Sequence, residues 1–178
     1  MTAYRRNLVA GGTYFFTVNL ANRRSSLLTA NIELLRAAFR YARHRRPFTI
    51  EAIVILPDHL HALWTLPAGE SDFATRWQLI KAASSRGLRP TERVSASRSR
   101  KGERGIWQRR FWEHTIRDED DFARHVDYIH FNPVKHNYAE RAQDWPFSSF
   151  HRMVRLDRYP PQWAVRPDDE PDGGFGER

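Results

Sequence analysis

Cysteine is absent from the sequence. That removes disulfides, thiolate metal sites and cysteine nucleophiles, and it fits a reducing cytoplasm. Long apolar runs are missing as well. None approaches the roughly 20 residues needed to span a bilayer. The opening Met1-Thr2-Ala3-Tyr4-Arg5-Arg6 lacks the apolar core of a signal peptide. The expectation is a cytoplasmic protein with no membrane partner. Acid is in short supply too: 21 Asp and Glu stand against 29 Lys and Arg, for a net charge of +8.

What is present points toward nucleic acid. Most of the basic residues are arginine, whose planar fork binds phosphate and stacks on bases. Six Trp, six Tyr and eleven Phe add stacking surface. Basic and aromatic together favour single strands in particular. The 178 residues suit one domain.

The pattern along the chain predicts β-α-β-β-α-β-α. Thr13–Asn19 is β-branched and aromatic and reads as the first strand. Asn31 to Arg45 carries Ile32, Leu35, Ala38, Phe39 and Ala42 at helical spacing, with Thr29 or Asn31 as cap. Phe48 to Leu56 and His59 to Leu66 read as a hairpin turning at Pro57-Asp58. Asp72 to Arg86 is a second helix and Trp107 to Arg117 a fourth strand. Asp118-Glu119-Asp120-Asp121 opens a third helix with acid at its positive end and is expected to run to about Asn132, before Pro133. A hairpin between two helices suggests an antiparallel sheet with helices on one face. Residues 87–105, rich in Arg, Ser and Gly, read as a mobile basic loop. The domain is expected to span 1–163, and 164–178 to form an acidic, disordered tail.

Two groups of residues could carry chemistry. His59-Leu60-His61 places two imidazoles on one face of a strand, where they can share a metal. On spacing alone the plainer reading, two ordinary strand histidines, is favoured about two to one. Tyr128 lies beside the core stripe of its helix, with Asp121, His125 and Asn132. Asn132, four residues on, shares its face. A boundary tyrosine and a helix-ending asparagine are the plain alternative.

These stretches resemble the HUH single-tyrosine transposases. Pro57-Asp58-His59-Leu60-His61-Ala62-Leu63-Trp64 is similar to their His-hydrophobic-His strand, and Tyr128-Ile129-His130-Phe131-Asn132-Pro133-Val134-Lys135-His136 to their nucleophile helix. Gly11 to Asn19, Trp107 to His114 and Trp145 to Phe150 also match, in the same order. The likeness, over residues 4 to 163, is strongest to the REP-associated branch. It implies an α+β, ferredoxin-like antiparallel sheet with helices packed on it. It implies Tyr128 as nucleophile, with His59, His61 and Asn132 around Mg²⁺ or Mn²⁺. It implies ATP-independent cutting of single-stranded, hairpin-forming repeat DNA in the nucleoid, through a 5′-phosphotyrosine that leaves a free 3′-hydroxyl. Relatives in the wider family are dimers that exchange tyrosine helices and the REP-associated branch includes monomers, so monomer and homodimer both stay open.

Further roles follow from position alone. Arg5, Arg6, Arg23 and Arg24 flank the first strand, and Arg109 and Arg110 lie within the expected fourth; each could grip a phosphate. Trp107 and Trp112 could stack on bases. Glu113, His114 and His125 are candidates for proton transfer or phosphate contact. The rival functions are a non-catalytic binder of hairpin DNA or RNA, and a hydrolase that uses the His pair and a water.

Overall fold

The computed structural model describes residues 6–89 and 94–163. Strand β1 (Thr13–Asn19) leads through a short helix α1 (Leu27–Ala30) into α2 (Ile32–Arg45). The hairpin β2 (Thr49–Ile55) and β3 (His59–Thr65) follows, then α3 (Phe73–Arg86) and the short α4 (Ala96–Ser99). Strand β4 (Trp112–Thr115), the long helix α5 (Glu119–Lys135) and α6 (Phe150–Arg155) complete the chain. The four strands form one antiparallel sheet in the order β2-β3-β1-β4, the ferredoxin-like arrangement.

Helices cover both faces of this sheet, not the single face expected. Tyr14, Phe16 and Val18 of β1 and Leu60, Ala62 and Trp64 of β3 meet α2 and α3 on one side. Trp64 stacks on Trp77 with ring centroids 4.2 Å apart. The alternate residues, Phe15, Ala52, Val54 and Leu63, meet Val126, Tyr128 and Ile129 of α5 on the other. The central strands are therefore buried on both sides, and a strand buried twice loses its polar alternation. That is why β1 reads Thr-Tyr-Phe-Phe-Thr-Val-Asn.

Three boundaries depart from expectation. Strand β4 covers only Trp112–Thr115. Trp107 forms only an isolated bridge to Leu20 beyond the end of β1, with the Gln108 amide on Asn19 O and the Lys81 ammonium on the Gln108 carbonyl at 2.9 Å, and the ladder is interrupted between Trp107 and Trp112. Helix α5 continues past Pro133 to Lys135. Proline removes one bond there, and the turn closes beyond it: the His136 amide reaches Asn132 O and that of Tyr138 reaches Pro133 O. Asn137 then takes φ 57°, a left-handed position that asparagine tolerates. Within 87–105, residues 96–99 are helical and 90–93 lie outside the described residues, as does 164–178. Asn31 precedes α2, but its side-chain amide donates to Leu27 O and caps no amide.

The exposed edge of β2 is closed by the C-terminal segment. Ile53 and Ser149 exchange two hydrogen bonds at 2.8 Å, Ile55 donates to Phe147 O, and the Trp145 indole donates to Ile55 O at 3.0 Å. An edge covered in this way cannot pair with another chain. No helix among the described residues is long and apolar enough to cross a membrane.

Candidate active site

The Pro57-Asp58 turn aims His59 and His61 at the α5 face. Leu56 donates to His59 O and closes the hairpin. The Asp58 carboxylate, buried in the turn, sits 2.8 Å from His59 Nδ1, and Arg23 Nε lies 3.0 Å from its other oxygen. Thr17 Oγ1, opposite on β1, is 2.9 Å from His61 Nδ1. Asp58 thus fixes the proton of His59 on Nδ1 and leaves Nε2 as a lone-pair donor, the arrangement found behind metal-bound histidines. That Nε2 is buried and has no hydrogen-bond partner among the described residues. Burial, and then the neighbouring His61, push the His59 pKa down to about 4. The ring is therefore neutral at pH 7, as a metal ligand must be. The donor set fits a divalent ion.

Helix α5 supplies the other half. The Asp118 side chain caps it by accepting from the Asp121 amide at 2.8 Å, and three acids fill its first turn. Tyr128, Asn132 and His136 follow at intervals of four and share one face. The Tyr128 ring stands 5.3 Å from the His61 ring, and the His136 ring 5.3 Å from the His59 ring. Helix and strand run antiparallel, with Asn132, fully buried, between the two pairs. Lys135 Nζ lies 5.0 Å from the Tyr128 ring centroid. The centre is shut: Tyr128 is 2% exposed and His61 not at all.

Phe15 separates this centre from a second cluster. Its ring lies 5.5 Å from His61, 5.9 Å from Tyr128 and 4.8 Å from His125. Beyond it, His114 Nε2 sits 2.8 Å from Asp121 Oδ2, and the His114 and His125 rings stack at 4.8 Å. The ligand atoms of His114, Asp121 and His125 all lie within 4.8 Å of one another. Burial raises the Asp121 pKa, but the His114 hydrogen bond and the Arg117 amide outweigh it and hold the carboxyl at about 2. With Arg117 and Arg124 each 3.6 Å from the same carboxylate, this is a satisfied anion in cationic surroundings, a poor host for a further cation.

The remaining sequence candidates scatter. Glu113 points to the opposite face of β4, toward Arg6 at 3.4 Å, because alternate strand residues face opposite ways. It does not share the Tyr128 centre. Arg23 supports Asp58, Arg109 pairs with Glu103 at 2.8 Å, Arg24 and Arg110 are exposed, and Arg5 lies outside the described residues. Trp112 stacks beside His114 at 5.9 Å, while Trp107 is largely buried beside α3. Asp58, Lys135 and His136 were missed as site residues. The spacing of four beyond Asn132 pointed to His136; the contact made by Lys135 is set only by the fold.

Comparison with known proteins fits this geometry. The family described as IS200-like transposase matches residues 11–132. A REP-associated tyrosine transposase of Escherichia coli (strain K12) is 47% identical over 178 residues, covering 100% of this chain and 98% of its own. A Haemophilus influenzae relative is 46% identical over 169 residues, 94% of this chain and 96% of its own. A solved structure of a REP-associated tyrosine transposase bound to a REP hairpin superposes with a TM-score of 0.85, at 47% identity over 100% of this chain and 98% of that one.

Proposed function

Because the chain belongs to the IS200-like transposase family, we propose that it cuts and rejoins single-stranded DNA with Tyr128 as nucleophile. The approach of the Tyr128 ring to His61 carries this reading. The substrate is hairpin-forming repeat DNA, supported by the hairpin bound in the similar structure. The working unit is the 1–163 domain, acting on nucleoid DNA.

His59, His61 and Asn132 would hold the divalent ion, Mg²⁺ or Mn²⁺. When bound, that ion supplies a Lewis acid for a phosphoryl oxygen. The protein side chains do the rest. Asp58 and Thr17 orient the two imidazoles through their Nδ1 atoms. The Tyr128 phenol gives up its proton and its oxygen attacks phosphorus. The bond from phosphorus to the 3′ oxygen breaks, and the departing 3′ oxyanion takes up a proton from water to become the free 3′-hydroxyl. The 5′-phosphotyrosine conserves the phosphodiester energy, so a second 3′-hydroxyl can displace Tyr128 and join the strands without ATP. Lys135, beside the ring, favours the phenolate.

The test is incubation with hairpin-bearing single-stranded DNA and Mg²⁺ or Mn²⁺, followed by denaturing electrophoresis and peptide mapping. An adduct on Tyr128 is the expected result. Binding with no adduct in any metal would instead indicate a hairpin-binding protein without turnover. Cleavage by Tyr128→Phe would indicate a hydrolase using water.

A further inference from the structure

On the sheet face away from Tyr128, α3 and the segment from Gly102 to Phe111 enclose a cavity of about 650 Å³. That volume lies inside the roughly 300–1,000 Å³ range of small-ligand sites. Its lining combines cations with flat rings. Lys81 Nζ lies 5.3 Å from the Phe111 ring and 6.0 Å from that of Trp107. The Arg6 guanidinium lies 4.8 Å from the same Phe111 ring. Arg86, exposed at the end of α3, and Arg104 add charge. The one carboxylate in the wall, Glu103, is held by Arg109 at 2.8 Å.

A second observation points to a ligand with hydrogen-bond acceptors. Trp77 and Trp107 both line the cavity, are at least nine-tenths buried, and have an indole N–H with no partner among the described residues. A buried donor left unmade costs about 1–3 kcal/mol. Trp64, in the same core cluster and stacked on Trp77, has the same unmade donor but is not part of this cavity's lining. The occupant of such a place is anionic, planar and rich in acceptors. A nucleobase with its phosphate meets all three demands, since rings and guanidinium groups stack on any base and indole donors meet its carbonyls. Burial, and then Arg6, press the Lys81 pKa down to about 8, and a phosphate alongside would restore its full charge.

We propose that this cavity receives one unpaired nucleotide of the bound strand, base against Trp107 and Phe111 and phosphate toward Arg86. The inference rests on the reading of the chain as an enzyme of single-stranded DNA. It adds an anchor on the reverse of the sheet, so the strand must pass around the molecule between this anchor and the cleavage centre.

The test uses hairpin DNA whose single-stranded flanks carry 2-aminopurine at one position at a time. One position should lose fluorescence on binding. Ala82→Trp, which fills the cavity from α3, should restore that fluorescence and weaken binding by about tenfold or more, as expected for one lost stacked base. Arg86→Ala, on the exposed rim, should leave the fold intact and make the log–log salt dependence of binding shallower by about 0.7. The wild-type protein should form the Tyr128 adduct with the same labelled DNA. Flanks that stay bright at every position, or quenching that survives Ala82→Trp, would overturn the subsite. A position-specific quench without any adduct would sustain the subsite and defeat the transposase reading.

Discussion

The rings of His61 and Tyr128 meet edge to face, 5.3 Å apart and inclined at 72°. One comes from the middle of the sheet and the other from the helix that covers it, within one chain.

Tyr128→Phe keeps the ring that packs on Phe15 and removes only the hydroxyl. The variant should fold and bind hairpin DNA with nearly unchanged affinity while forming no covalent adduct. Gel-shift titration beside a denaturing gel separates the two effects.

Metal removal should be equally decisive. A chelator should abolish adduct formation, and His59→Ala or His61→Ala should do so at any practical Mn²⁺ concentration. Asp58→Asn leaves both imidazoles in place but loosens the hold on His59 Nδ1. Losing such a supporting carboxylate should weaken metal binding by about 10–100-fold. Calorimetric Mn²⁺ titration without DNA reads this directly, and an unchanged affinity would remove His59 from the proposed ligand set.

Lys135→Met should slow adduct formation by about tenfold, less than the 10²–10³ lost with a direct oxyanion donor. The ammonium faces the ring, 5.0 Å from its centroid. DNA affinity should hold, because the effect falls on the phenolate. Single-turnover kinetics at saturating DNA provide the comparison.

His130 contributes to an acid-side loss of stability. It is fully buried, with Nε2 2.9 Å from Ser149 Oγ. Burial, and then Arg152, push its pKa from 6.5 to about 3. The folded state holds the ring neutral where the unfolded chain would protonate it, so the unfolded state binds the extra proton. Stability is complete above about pH 6.5 and falls toward pH 3 at about 1.4 kcal/mol per pH unit from this one group. Urea midpoints measured between about pH 6 and pH 4 should fall less steeply for His130→Gln than for the wild type; parallel curves would exclude His130 as the source.

The elements nearest the site were the most legible. Strand β1 begins and ends where its β-branched run does, and the His pair sits on the hairpin that Pro57-Asp58 announces. Tyr128 and Asn132 share a face by helical spacing alone. The sheet's second covered face was not legible, because Phe15, Val54 and Leu63 look the same in sequence whichever helix they meet. The neighbour of Glu113 was hidden for a related reason. Its strand is only four residues long, too short to declare which side faces which layer. The family likeness supplied the link between β3 and α5, which local pattern cannot reach.

Tyr128, with 2% of its surface open, has a kinetic consequence. A passing strand that merely collides with the protein meets almost none of the Tyr128 surface. On the proposed reading, α5 would have to loosen from β3 before cleavage, and only DNA that stays bound that long would be cut. Selection would then work by dwell time, and a hairpin held briefly would leave unharmed.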